Sequence, residues 1–531
     1  RDAYYLVMTN FVGDAEDNHA MNFNALRVFR NRPQYRFEGR LHEQWAQNLP
    51  GYLPERLVAS DVRVHHFGYL GAVRDSKGKS KRNLELLQRQ AAEGDDTPFL
   101  HFNLGSEHLA VGEDEAALRE FEIAWEKLRS WDGSITRLGF VPSLSARYMR
   151  ALSTCGRHED MQRLSEEVLG LFPDFTDIVL EMALAAAKRG EPGEAERLFR
   201  RCLELGDAPS RYSAAIGAGT YLARIGLAEL LRKLGRLDEA EAEVRGCLAE
   251  HASFIGIVEP YASIRLANGA QPADVVAEVH AAMDDIAPGA RFMLAVTLHE
   301  AGAAELAEAE LREVVATNPG SGPALLALAE SLLSQARFAE VIETLEALDA
   351  DSPWAPQAAR ASAFAALATG DAETAGAVLS RPAVERLTAA ERALLRAWRA
   401  DAAGEAVPES LPAEAAGPAL VMLEALARVE AFDAFELLAN RWDTLDLPWR
   451  ERRERLAEVY LRRGFLESAA DEWIAVADAE GADASVLLGL AQVAWARGMD
   501  EDAVVFAQEA RELEPGHAGA ARLLEHLGAA A

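Results

Sequence analysis

The sequence predicts a mainly α fold: an α-solenoid superhelix of stacked helical hairpins, preceded by a small α/β or β segment. Three observations carry this prediction. At 531 residues the chain exceeds what one hydrophobic core serves, so several domains or a solenoid is expected. From about residue 96 a helix–turn–helix signature recurs. Before it, over residues 1–90, the apolar period becomes two and the charge changes sign. Those 90 residues hold 14 Lys and Arg against 10 Asp and Glu, whereas the other 441 hold 40 against 75, a net of −35. So acidic a run repels nucleic acid and anionic membranes, which argues against non-specific nucleic-acid binding. The basic part suits a phosphorylated ligand.

Residues 1–75 come first. YYLVMTNFVG, NALRVFRNR, PQYRFEGRLHEQW and DVRVHHFGYLG read as short strands, punctuated by Pro, Gly and Asn. So few strands on 75 residues read as the carboxyl-terminal part of a larger α/β unit. The chain opens on Arg1 rather than Met, so an upstream part is expected. The acidic cluster DAED at 14–17 reads as a turn. Residues 76–95 read as a linker helix, with Ser80 as its cap and Leu84, Leu86 and Leu87 as its apolar side. The cations Lys77, Lys79, Lys81 and Arg82 open that helix and lack the interleaved aromatics of a nucleic-acid patch.

Residues 96–383 and 450–531 carry the repeats, separated by an irregular helical junction at 384–449. In the first copy Leu104 and Gly105 precede Gly112, Ala117, Phe121 and Ala124. The pattern returns at Gly190 with Ala195 and Phe199, at Gly235 with Ala240, and at Gly302 with Ala307 and Pro319. It returns again at Gly370 with Ala375, at Gly464 with Ala469 and Trp473, and at Gly498 with Ala503 and Pro515. Weaker copies surround Gly156 with Pro173, and residues 322–353 lack the glycine. Each element has a physical role. Glycine ends the first helix where the chain turns without a Cβ penalty. The small Ala admits a close helix–helix approach, and the aromatic four residues on fills the next gap. Proline stops the second helix.

These residues resemble the tetratricopeptide repeat, whose period is about 34. The resemblance implies a concave face that binds a protein or glycan acceptor. The positions corresponding to that face are Phe99, Phe102, Ser106 and Leu109 in the first copy, and Asp177, Leu180, Leu184 and Ala187 in the copy ending at Gly190. They lack the Lys, Arg and Asn of repeats that clamp a terminal carboxylate. Arg232 and Lys233 read as a solvated helix end.

The amino-terminal segment carries a second resemblance. LRVFRNRPQYRFEGRLHEQ, then VRVHHFGYL, then KSKRNLELLQRQ, running into repeats, is similar to the carboxyl-terminal part of bacterial family 2 glycosyltransferases fused to tetratricopeptide repeats. The matching positions are Arg27 to Asn31, Tyr35 to Gln44, His66 to Tyr69 and Lys81 to Leu84, about 70 residues. The resemblance implies transfer of a sugar from a nucleotide-diphosphate donor to an acceptor hydroxyl, with a divalent cation, Mn or Mg. Glu43 would then be the catalytic base and His42 a metal or diphosphate contact, while Arg27, Arg30 and Arg40 would clamp phosphate oxygens. Each has a structural alternative: Glu43 paired to an arginine, His42 hydrogen-bonded within the fold, the arginines as solvated strand faces. The family's nucleotide-sugar half, with its Asp-x-Asp motif, has no counterpart here. The alternative for the whole chain is therefore a non-catalytic scaffold that binds a protein.

Cys155, Cys202 and Cys247 have no paired spacing and read as small core residues in a reducing compartment, hence a cytoplasmic protein. No apolar run approaches the roughly 18 residues of a membrane span. PALVMLEALARV, near residue 418, comes nearest, and Glu424 interrupts it.

Overall fold

The computed structural model describes residues 3–13, 19–33, 35, 57–70, 79–209, 212, 214–283, 286–406 and 410–528. Among them lie 25 α-helices and one small sheet. The chain divides into two compact units, Arg1–Thr297 and Leu298–Ala531.

The first unit opens with strands β1 (Ala3–Gly13), β2 (His19–Phe29) and β3 (Leu57–Leu70). The sheet order is β3-β1-β2-β4, in which β4 is only Ala214–Ala215, far along the chain. β1 runs antiparallel to β2 and parallel to β3. Between Tyr5↔Ala59 and Val7↔Arg63 the register slips, which places Val62 in a bulge. That explains why Val62 is 57% exposed, although period two alone would put it on a packed face with Val64 and His66.

Helix Lys79–Ala92 packs on the first hairpin rather than standing clear as a connector. Leu87 is buried against Leu100 and Leu104, and the Asn83 amide donates to Glu107 at 2.9 Å. Hairpins follow: Pro98–Ala110 with Asp114–Arg129, Val141–Thr154 with His158–Leu171, and Thr176–Lys188 with Pro192–Leu205. Tyr221–Lys233 with Leu237–His251 and Val258–Ala267 with Pro272–Ala282 continue the unit. In the second unit, hairpins run from Gly322–Ser334 with Phe338–Glu346 to Ala484–Ala496 with Asp500–Leu513, and helix Ala518–His526 closes it. The irregular stretch is helical as well. Helix Ala389–Ala402 begins in a capping box between Thr388 and Glu391, and Trp398 and Trp442 fill a core shared with Leu423 and Leu438.

The repeat chemistry expected from the sequence is the packing observed. Gly112, Gly156, Gly190, Gly235, Gly302, Gly370, Gly464 and Gly498 all adopt φ between 70° and 81°, the left-handed turn that ends the first helix. Ala117, Ala195, Ala240, Ala307, Ala375, Ala469 and Ala503 are each 0% exposed. Phe199 and Trp473 cross to the next hairpin, where Gly226 and Gly489 make room for them. Arginines just past the turns stitch neighbouring hairpins, as Arg236 does to Glu196 at 2.7 Å.

Where the turn glycine is missing, Ala336 takes its place at φ 57°, and Glu430 does the same at φ 58°. A side chain in that region costs about 1–2 kcal/mol. Ala336→Gly and Glu430→Gly are therefore each expected to stabilise the second unit by roughly 0.5–1 kcal/mol, after the glycine's greater unfolded-state entropy. Urea unfolding of the full chain checks this, and a lowered midpoint would contradict it.

The remaining expectations are quickly placed. Cys202 and Cys247 are buried free thiols, and burial pushes both up to about 12, so they stay protonated. PALVMLEALARV lies in helix Ala416–Arg428, with Glu424 bonded to Arg462. No helix among the described residues is long and apolar enough to cross a membrane.

Candidate functional site

Of the residues singled out for chemistry, Arg27 and Arg30 lie among the described residues, whereas Arg40, His42 and Glu43 lie outside them. Arg27 sits where the β1–β2 register breaks, between Tyr4↔Val28 and Tyr5↔Leu26. It is the extra residue of a bulge, a device that turns a side chain out of a strand's alternation, and it is exposed. Arg30, just past β2, is exposed too. Tyr35, which heads the YRFEGRLHEQW stretch, is structural: it is 5% exposed and packs with Ala3, Leu26, Phe29 and Leu57. The Arg32 guanidinium lies 5.7 Å from its ring.

A polar site built on a long loop was not anticipated. It lies where the amino-terminal sheet meets the repeats. Between helices Pro192–Leu205 and Tyr221–Lys233 the connection spans residues 206–220, long for a hairpin-to-hairpin link. Within it, Ala214 and Ala215 pair with Asn22 and Met21 as β4 on β2. The Asp207 carboxylate accepts from the amides of Gly219 at 2.8 Å and Gly217 at 3.0 Å, which folds the end of the loop onto the next helix. No side chain fits at Gly219, since a Cβ there would lie 1.9 Å from the Gly206 carbonyl carbon.

The loop is fastened by three bonds, two to helix Thr176–Lys188 and one to Asp174 just before it. The Thr176 hydroxyl donates to the Gly206 carbonyl at 2.6 Å, the Tyr212 hydroxyl to Asp174 at 2.6 Å, and the Ala215 amide to Asp177 at 2.7 Å. Tyr212 also packs 5.3 Å from both Phe172 and Phe175. The loop accounts for a difference from expectation. Asp177, assigned to an open binding face, is only 6% exposed under Ala215, while Leu184, two turns along, is 46% exposed. The signal for this site was the extra length between Leu205 and Tyr221. Its tie to β2 had no signal, because two alanines carry no strand pattern.

In the second unit an open groove of about 760 Å³ runs between helices Ala372–Leu379 and Ala389–Ala402, lined by Gly376, Arg396, Arg399 and Glu405. Its arginines are engaged, Arg396 with Glu385 at 2.8 Å and Arg399 with Glu405 and the Ala372 carbonyl. Among the described residues that line it, the groove offers no free cation for an anionic ligand.

With this geometry in view, comparison with known proteins bears on the repeats. Residues 298–363 match the tetratricopeptide-repeat family. That segment opens the second unit and contains the glycine-less copy. The chain is also similar to solved structures at low identity. A tetratricopeptide repeat protein from Parabacteroides merdae is 13% identical, with 66% of this chain and 98% of that one covered and a TM-score of 0.24. The Cut9–Hcn1 hetero-tetramer of the APC/C is 13% identical, covers 86% and 95%, and gives 0.23. The human IFIT1 dimer with PPP-AAAA is 15% identical, covers 81% and 94%, and gives 0.35. No curated protein sequence matches the chain.

Proposed function

We propose that this chain is a tetratricopeptide scaffold whose first helices hold a protein partner. The observation that supports this most directly is the repeat match over residues 298–363, set within a longer run of hairpins built on the same Gly, Ala and aromatic positions. Stacked hairpins offer an extended surface rather than an enclosed pocket, and such surfaces suit a polypeptide. The first helices also keep large apolar side chains in solvent, Leu184, Val421 at 69% and Trp495 at 42%. Photo-crosslinkers placed singly at Val421 and Trp495, with a second-helix control at Val505, test the reading in cells. A discrete protein adduct from the first two positions and none from the control is the expected result. The purified partner should then lose at least tenfold in affinity on Val421→Asp. Adducts from Val505 alone would refute the assignment to the first helices.

Sugar transfer is a second reading, supported by the motif string from Arg27 to Leu84. In it, Glu43 takes the acceptor proton, His42 contacts the cation or diphosphate, and Arg27, Arg30 and Arg40 hold phosphate oxygens. Calorimetric titration with nucleotide diphosphates and their sugars, with and without Mn²⁺, addresses it. Metal-dependent heat that disappears on Glu43→Ala or His42→Ala is expected. Silence with every nucleotide would leave this chain a scaffold alone.

A further inference from the structure

Asp177 stands in the first turn of helix Thr176–Lys188, 6% exposed. Its Oδ1 accepts the Ala215 amide at 2.7 Å, and its Oδ2 is buried with no hydrogen-bond partner. A buried carboxylate needs several donors or a cation to balance lost hydration. Among the described residues, the groups around it supply neither. Glu181, one turn along the same helix, is held by Arg150 of helix Val141–Thr154 at 2.9 Å. Asp207, on the loop, is a second nearby carboxylate. The Cys202 thiol of helix Pro192–Leu205 is 0% exposed, and Asp174 is occupied by Tyr212. Burial accordingly pushes Asp177 up to about 7, and the Ala215 amide and the backbone amide of Asp177 itself oppose this only in part.

The placement matters because Ala215 is both the donor to Asp177 and half of β4, the only repeat-array strand that pairs with β2 among the described residues. We propose that Asp177 is a protonation latch between the amino-terminal sheet and the repeats. Neutral, it sits dry under Ala215 and keeps β4 on β2. Charged, it gains most by reaching water, which requires Ala215 to lift away and so parts β4 from β2. The sign follows from linkage. An acid whose pKa is higher in the closed form stabilises that form fully below its ordinary value near 4, and this contribution is lost as pH rises to about 7. The opening constant should therefore grow about tenfold per pH unit between pH 5 and 7 and level off above that.

Hydrogen–deuterium exchange on the full chain, corrected for the intrinsic effect of pH, tests this through peptides spanning 19–29 and 214–220. Opening is expected to climb between pH 5 and 7 in both, while helix Asp114–Arg129 keeps constant protection. Asp177→Asn preserves the acceptor for Ala215 without a charge, and should hold opening at its low-pH level up to pH 8. A flat wild-type profile overturns the proposal, as does a variant that keeps the wild-type slope. Should Asp177→Asn fail to fold, the wild-type profile decides alone.

Discussion

Trp398→Ala is expected to destabilise the second unit by about 3–5 kcal/mol, the range for emptying the site of a large buried aromatic. Trp398 is 0% exposed at the centre of the core that joins helices Ala355–Ala368, Ala389–Ala402 and Ala416–Arg428, with Phe364 against it edge-on at 5.9 Å. In a repeat array each hairpin leans on its neighbours, so the loss should spread along the unit rather than stay at one helix. Trp398→Phe sharpens the test. The indole Nε1 is buried without an acceptor, so phenylalanine removes an unsatisfied donor while leaving a smaller void. It should cost far less than alanine. Urea unfolding followed by circular dichroism compares the three chains. Equal losses for Phe and Ala would show that the indole's polar edge, not its bulk, sustains the core.

Gly489→Val should cost a further class of energy, that of overpacking. A Cβ at Gly489 would lie 2.3 Å from Trp473 Cε2, and Trp473 is itself only 6% exposed. The ring cannot withdraw without opening its own hairpin, so a loss of about 1–3 kcal/mol is expected. The partner change Trp473→Leu should recover part of it, because the two side chains share one space and their effects do not add. If Gly489→Val melts like the parent, the close approach of these two hairpins is not what the packing describes.

These two sites differ in how far the sequence announced them. Trp473 and Ala469 belong to a recurring local pattern, and local patterns survive translation into structure because each position answers to a single turn or helix face, whereas Gly489, which makes room for Trp473, stood outside that pattern. The alanine that replaces the turn glycine at Ala336 shows the same logic: the backbone kept its left-handed turn and accepted the strain. Trp398 sits in a stretch whose lengths are irregular, where Leu411 and Leu445 form an isolated parallel bridge that no period encodes. The helix Lys79–Ala92 was readable as amphipathic from Leu84 and Leu87, but nothing local named the hairpin that would bury them. Asp177 was misplaced for the same reason. Its exposure depends on a loop 30 or more residues away in the chain, and the fastening bonds run between groups no spacing rule connects. The chemistry assigned to Glu43, His42 and Arg40 lies outside the described residues, so sequence resemblance remains its support.

The pairing of Met21 and Asn22 with Ala215 and Ala214 also has a consequence for biogenesis. The two halves of that contact leave the ribosome 192 residues apart, taking Asn22 and Ala214 as the marks. At about 5–20 residues per second, β2 waits roughly 10–40 s after its own synthesis for the strand that covers it. The hairpins between them need no such delay, since each closes on sequence already made. During translation the amino-terminal sheet thus stays unfinished while the hairpins made between its strands close, and its open strand edge is a surface on which a nascent-chain chaperone would have long to act.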